Sequence, residues 1–482
     1  MTAFLLVLLH AVLMGAVVLR VLLRRPARGV ALAWLLLTVA LPYVGALLYF
    51  LIGERRISRQ RVERLARFQA DLSSLTAPHI AENASLHRDG VAMAGSRLLE
   101  NAGQSLFGTP AINGNRMNLA SDTLGMLRQI AADVDKARTS VLMEFYIWSE
   151  GGLTAQVRDA LIRAAKRGVV CLVLVDAMGA GRWWKSRDPE ALRAAGVDLR
   201  AALPVGILQG LARRTDLRLH RKIVVIDGGL AWTGSMNMVD PRFFKQDAGV
   251  GEWVDAMVRI EGPVAGLLAA VMISDWVAEG GDSLDDVMRR TGITPTPAMG
   301  NVPVQVLSSG PGETGDALLQ IMMSLIGTAH REVVITTPYF VPEDALILAL
   351  RGAAARGVKV ILVLPKRIDS MLVRYASRSF FDEILEPGGE IYQFTDGLLH
   401  TKSITVDGTV AMFGTANVDM RSLWLNYELS LLIYDSATVA NLRHLQARYI
   451  AASEPVSFVP WAQRPLGERL VESTMRLVSP LL

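Results

Sequence analysis

"LHRKIVVIDG" fills residues 219–228, and "LHTKSITVDG" fills residues 399–408. In each, a His is followed two places on by a Lys and seven places on by an Asp-Gly pair. The first copy holds His220, Lys222 and Asp227; the second holds His400, Lys402 and Asp407. A buried strand accounts for the apolar letters between them, but not for the same polar letters at the same steps. Side chains two apart on a strand share a face, so each His and its Lys point the same way. The Asp, five beyond the Lys, points to the opposite face. It has two readings: a member of a catalytic set, or the residue that shapes the turn at Gly228 or Gly408.

The likeness runs outward from these ten letters. "SVLMEFYIW" (140–148) and "EVVITTPYF" (332–340) are apolar β-rich runs with a Tyr near the end. A helical stretch closing on Arg-Gly-Val follows each, with a Gly suited to a helix C-terminus, and then the strands "VVCLVLVD" and "VKVILVLP". Strand, helix and continuous apolar strand make a βαβ pattern and a buried, largely parallel or mixed sheet. Beyond the motifs, "WTGSMN" and "MFGTAN" place Asn237 and Asn417 each 17 residues after its His, with Ser235 and Thr415 at the matching positions. Asp255 and Glu428 head the next strands, 35 and 28 residues after the His, so the first copy carries an insertion of seven. The fold expected is α/β: two homologous α/β/α halves about a pseudo-two-fold axis, over 61–285 and 286–460. A membrane segment (1–60) precedes them and an amphipathic tail (461–482) follows.

The chain has 482 residues, 51% of them hydrophobic, and a net charge of +4. Its mild basic excess suits an anionic partner such as acidic lipid. The lone Cys171 lies in a core strand and allows no internal disulfide. Thr2–Leu19 is an apolar run; as a helix its roughly 18 residues reach about 27 Å, close to the thickness of a bilayer core. Gly29–Ile52 is a second run, interrupted by Pro42. A signal peptide would need a basic start and a cleavage site, which the first run lacks. Two transmembrane helices are therefore expected, as a hairpin kinked at Pro42. Arg20, Arg24, Arg25 and Arg28 lie between the runs; Arg55, Arg56, Arg59, Arg61, Arg64 and Arg67 follow the second. The larger cluster favours both ends, and the globular part, in the cytoplasm. Residues 203–214 read as an interfacial loop or as ordinary packing, and the tail as a helix on the core or on the membrane surface.

Two His, two Lys and two Asn around one point suit a tetrahedral anion. Ammonium groups, amides and the Ser235 and Thr415 hydroxyls would donate to phosphate oxygens. One neutral imidazole would attack phosphorus while the other, protonated, served the leaving oxygen. Asp255 and Glu428 would each hold an imidazole in the required tautomer. A metal site is disfavoured, because an ammonium beside each His repels a cation; no cofactor is expected.

The doubled His-x-Lys, four residues, Asp-Gly, with Gly-Ser/Thr-x-Asn after it, resembles the phospholipase D superfamily. Within it the chain is similar to the bacterial cardiolipin synthases, through "IGERR", "LMEFYIW", "GSMNMVDPRFFKQDAGVGEWVD", "TTPYFVP", "GTANVDMRSLWLNYELS" and the terminal "SPLL". Leu219, where a polar residue would be usual, departs from that pattern. The resemblance implies a metal-independent phosphatidyltransferase of the bacterial inner membrane, turning two phosphatidylglycerol molecules into cardiolipin and glycerol. Its catalytic triplets would fall on His220, Lys222, Asp227, His400, Lys402 and Asp407. Phosphatidylglycerol, cardiolipin and the membrane are the partners implied, without nucleic acid; a homodimer is left open. Hydrolysis, as a phospholipase or nuclease, and a catalytically silent scaffold are the competing readings.

Overall fold

Gly29–Ile52 reads as one helix but folds as three pieces: Arg28–Ala40, Val44–Leu48 and a π-turn over Tyr49–Gly53. Pro42 has no N–H to continue the ladder, and Tyr43 beside it takes φ 65°. In this computed structural model residues 2–24, 28–53, 94–204, 216–280, 282–311 and 315–478 are described. The chain divides into two compact units, 1–62 with 205–217, and 63–204 with 218–482. In the first unit, Phe4–Arg24 is long and apolar enough to cross a membrane, whereas Val30–Ala40 is too short by itself. Of the expected hairpin kinked at Pro42, the structure shows one long helix and a second segment broken at Pro42. Val17, Val21, Trp34, Ala46 and Tyr49 pack between them, and the Tyr43 hydroxyl donates to the Leu6 carbonyl at 2.6 Å. Leu5, Leu8, Leu19 and Leu22 stay exposed, a surface that suits lipid better than water. The basic cluster at 55–67, the loop at 205–214 and the terminal "SPLL" lie outside the described residues.

The second unit holds both copies of the repeat. Its strands are β1 (Ile112–Ala120), β2 (Ser140–Phe145), β3 (Val170–Asp176), β4 (Asp198–Ala202), β5 (Arg218–Leu219), β6 (Ile223–Ile226), β7 (Leu230–Gly234), β8 (Trp253–Val254), β9 (Met257–Glu261), β10 (Val302–Ser309), β11 (Glu332–Thr336), β12 (Phe340–Val341), β13 (Lys359–Pro365), β14 (Glu390–Phe394), β15 (Leu398–Leu399), β16 (Ser403–Val406), β17 (Val410–Gly414), β18 (Val418–Asp419), β19 (Asn426–Ile433) and β20 (Ser453–Pro455). Sixteen of them join one sheet. Its order is β20-β14-β13-β11-β16-β17-β19-β10-β1-β9-β7-β6-β2-β3-β4, with β5 beside β19. Read outward from the antiparallel β1–β10 join, the two sides repeat each other. In each half three strands run parallel, β2-β3-β4 and β11-β13-β14, and those nearer the join run antiparallel.

The apolar strands bury both faces, as a sheet covered on two sides must. On one face Thr123–Asp135 and Thr154–Lys166 pack against the first half. On the other, Pro263–Glu279 and Ser436–Ala451 bury Leu268, Trp276, Leu442 and Leu445 in a core drawn from both halves. The connection between halves passes through the helix Leu284–Thr291 before β10.

Each Asp-Gly pair makes the turn of a hairpin, β6–β7 and β16–β17. Asp227 and Gly228 have φ 51° and 68°, Asp407 and Gly408 53° and 71°, a left-handed pair that turns each three-residue loop so that the Gly229 amide donates to the Ile226 carbonyl at 3.2 Å and the Thr409 amide to that of Val406 at 3.0 Å.

Candidate active site

His220 follows β5, which pairs parallel with the head of β19: Arg218 opposite Asn426, Leu219 opposite Tyr427. The His220 amide extends that ladder by donating to the Tyr427 carbonyl at 2.9 Å. His400 follows β15, which pairs parallel with β8: Leu398 opposite Trp253, Leu399 opposite Val254. Its amide donates to the Val254 carbonyl at 2.8 Å. Each histidine strand therefore lies against a strand from the other half, and the acid it meets comes from that half. His220 Nδ1 is 2.9 Å from Glu428 Oε2; His400 Nδ1 is 2.7 Å from Asp255 Oδ1. The sequence named both acids as histidine partners; the exchange between halves is what the structure adds.

With Nδ1 engaged, Nε2 is the nitrogen each ring has left for chemistry. Both imidazoles line one cavity of about 280 Å³, together with Asn237, Asn417, Tyr146, Tyr339, Trp253 and Arg421. His400 packs on Trp253 with ring centroids 4.4 Å apart, and His220 meets Tyr146 edge-on at 5.1 Å.

Burial lowers both imidazoles to about 4, outweighing the carboxylate that pulls each upward; both ammonium groups lower each ring further. Both rings are thus neutral near pH 7, and each senses both lysines. Lys222 and Lys402 are themselves lowered by burial, to about 8 and about 7. Each donates to the carbonyl of its own motif's histidine, at 2.7 and 2.5 Å, which leaves two ammonium protons. For Asp255 and Glu428 burial raises the carboxyl, yet the histidine partners and neighbouring donors prevail, and both lie below the usual range.

Asp227 and Asp407 are not among the residues that line this cavity, and their carboxylates are engaged on the turn side. The Asp227 carboxylate accepts from the amides of Arg138, Thr139 and Ser140. Asp407 accepts from those of His330, Arg331 and Glu332. Both pin the start of a neighbouring strand, the turn-side role the alternation of side chains allowed. Burial raises each carboxyl, and the amides more than offset it.

Ser235 and Thr415 bond the two acids. Their hydroxyls donate to Asp255 Oδ1 at 2.6 Å and Glu428 Oε2 at 2.5 Å. A hydroxyl has one proton, so neither donates to a phosphate in this arrangement; both position the acids. Asn237 and Asn417 do reach the cavity. Asn237 Oδ1 accepts from the Ile147 amide at 3.2 Å, while its Nδ2 has no partner among the described residues. Asn417 Nδ2 donates to Asp419 at 3.0 Å.

Sequence reasoning missed Arg221, between the first His and Lys. Its guanidinium is buried on the opposite face. It donates to the Glu428 carbonyl at 3.1 Å and to Ser308 Oγ at 2.7 Å, and pairs with Asp275. It thereby fixes the strand that presents the acid to His220. Its place in the motif was the available signal. Lys245 and Trp253 came with the insertion; Lys245 bonds Asp369 at 3.0 Å, which also accepts from the Tyr339 hydroxyl at 2.8 Å.

Two imidazoles held by exchanged carboxylates, on a duplicated mixed sheet around one anion-sized cavity, define a phosphodiester transferase of the phospholipase D type. Residues 130–258 and 322–448 both match the family described as "Cardiolipin synthase, PLD-like domain", and residues 12–54 match "Phospholipase_D-nuclease N-terminal". The chain is 41% identical over 487 aligned positions to cardiolipin synthase A of Pectobacterium carotovorum, covering 100% of this chain and 98% of that one. It is 42% identical to cardiolipin synthase A of Yersinia pseudotuberculosis, covering 98% and 96%. The crystal structure of phosphatidylserine synthase from Haemophilus influenzae aligns with a TM-score of 0.60 over 80% of this chain and 100% of that one. At 16% identity it shows a shared fold. The chain belongs to the cardiolipin synthase family of the phospholipase D superfamily. It is a phosphatidyltransferase of phospholipid biosynthesis that makes cardiolipin.

Proposed function

We propose that two phosphatidylglycerol molecules react in this cavity through a phosphatidyl-histidine to give cardiolipin and glycerol. The observation that carries this reading is the pair of Nδ1-anchored imidazoles on the wall of one cavity. One Nε2 attacks phosphorus and the phosphorus–glycerol oxygen bond breaks. Glycerol leaves with a proton from the second imidazole, which the bound phosphate anion helps to charge. That imidazole then takes the hydroxyl proton of the second phosphatidylglycerol. The new oxygen–phosphorus bond forms as the nitrogen–phosphorus bond breaks. Lys222, Lys402 and Asn237 favour the phosphate and the charge that develops on it.

His220 is the nucleophile in this scheme and His400 the acid and base. Glu428 spreads its charge over Thr415, Ser422 and Asn426 as well as His220. Asp255 bonds Ser235 and His400, and its Oδ2 has no partner among the described residues. The more concentrated charge is the better support for an imidazolium. Trapping with a substrate that has a good leaving group, then locating the adduct by mass spectrometry, decides the assignment. An adduct on His400 reverses it.

For the membrane segment, we propose that the broken second run crosses beside the first helix, with the catalytic part cytoplasmic in the bacterial inner membrane. The support is their packing and the basic residues that follow in sequence. Purified protein with phosphatidylglycerol alone tests the reaction: cardiolipin with glycerol is expected, and phosphatidic acid with glycerol overturns transfer. Exhaustive chelation is expected to leave the rate unchanged, because the ammonium that accompanies each histidine repels a divalent cation.

A further inference from the structure

Two helices that pack on each other, one of them beside the cavity, each turn a charged residue inward and leave large apolar residues outward. In the C-terminal helix Leu466–Val478, Leu466, Leu470 and Leu477 are 69%, 60% and 81% exposed. At about 100° per residue they form one stripe about 40° wide. Turned away from it, Glu472 is 1% exposed and accepts from Arg378 at 2.7 Å and Arg464 at 2.8 Å. Glu468 accepts from Arg378 at 2.9 Å. In the helix Met371–Arg378, Val373 and Ala376 pack on the core and Arg378 turns in to those carboxylates, while Met371 and Leu372 are exposed. A helix on a soluble domain is built the other way, with apolar residues on the core and charges in water.

We propose that Met371, Leu372, Leu466, Leu470 and Leu477 form one face that lies in the head-group layer of an anionic bilayer and sets the cavity mouth against it. The proposal rests on the lipid-substrate reading above. Ser370 and Val373, on either side of Met371 and Leu372, line the cavity. About 280 Å³ accommodates a phosphoglycerol head group but not two acyl chains, so the chains pass over this rim. Arg374 and Arg469 are exposed on the same two helices, and their charge complements anionic head groups. This also assigns the tail: it packs on the core through Met475 and the Glu472 ion pairs and offers Leu466, Leu470 and Leu477 to the membrane.

The test uses the full chain in phosphatidylglycerol-containing vesicles. An environment-sensitive dye is placed on Leu372→Cys, Leu470→Cys or, as a remote control, Arg289→Cys; native Cys171 is buried. Nitroxide-labelled lipid is expected to quench the dye at 372 and 470 several-fold more than at 289. Equal quenching at all three overturns the proposal, as does protection that grows with protein concentration in the absence of bilayer. In parallel, the double variant Leu470→Glu with Leu477→Glu should lose at least about tenfold in turnover on vesicles and stay within twofold on short-chain, water-dispersed phosphatidylglycerol. Equal changes on both substrates, or none, count against it. Quenching reads the surface without turnover, so an inactive wild type would sink the functional reading and leave this one standing or falling alone.

Discussion

Four carboxylates attend the two motifs, and neighbouring residues sort them into two kinds of work. Asp227 and Asp407 bind backbone amides at a turn; Asp255 and Glu428 bind imidazoles. Asp227→Asn should therefore cost stability, about 1–3 kcal/mol for poorly satisfied amides, and leave turnover per folded molecule within a few-fold. Glu428→Gln should keep the fold and lower turnover by roughly 10³-fold or more, because an amide supports neither the tautomer nor the charge. Thermal melts and steady-state rates on the same preparations separate the two effects. The lysines predict a pH profile. An ammonium is charged below its pKa, and these are lowered to about 8 and about 7. Hence kcat/KM should fall as pH rises through 7 to 8, and Lys402→Arg, if it folds, should carry that alkaline limb upward. An unmoved limb would mean that Lys402 does not set it. The His, Lys and Asn of the site were legible because they recur at fixed steps. The duty of Ser235 and Thr415 was not: a hydroxyl beside a phosphate site and one beside a carboxylate look alike in sequence.

The repeated strands and helices were legible as elements from apolar runs closed by Arg-Gly-Val and by Asp-Gly turns, and they set the sheet. What no single element could disclose is that β5 and β15 leave their own halves to pair with β19 and β8. Strands of two residues carry no periodicity to read. The same crowding explains why a Gly precedes Ser235 and Thr415. A Cβ on Gly414 would stand 2.2 Å from the Leu429 carbonyl oxygen, and on Gly234 2.5 Å from that of Ala256. Both obstacles are backbone of the strand that bears or adjoins the acid. Gly414→Ala should therefore push β17 from β19 and loosen the Thr415–Glu428 bond. It should lower the melting temperature and turnover together, at a stability cost of about 1–3 kcal/mol or more. Gly408→Ala meets nothing within 4 Å. It should cost only the left-handed backbone penalty, about 1–2 kcal/mol, with turnover per folded molecule unchanged. Equal losses of turnover in the two variants would remove the close approach as the reason for the glycine.

At the scale of the whole molecule, duplication yields one site rather than two, because each half supplies a histidine to the other half's acid. Neither half holds a complete pair: His220 needs Glu428, and His400 needs Asp255. The exchange takes place within one chain, across the β1–β10 join and a core shared by both halves. This gives a prediction that separates it from assembly between chains. His220→Ala and His400→Ala should each lower turnover by roughly 10³-fold or more, and the double variant should be little worse, since members of one catalytic unit are not additive. Mixing the two single variants, purified apart and then reconstituted together at high protein-to-lipid ratio, should restore nothing. Every cavity in the mixture still lacks one imidazole. If the halves instead exchanged between two chains, a mixed pair would contain one cavity with both histidines and one with neither, and co-expressed variants would recover a substantial fraction of wild-type turnover. Co-expression as well as mixing should be measured, because only co-expression lets halves exchange during folding. Recovery in the co-expressed sample would place the exchange between chains, whereas the shared core requires both samples to stay silent.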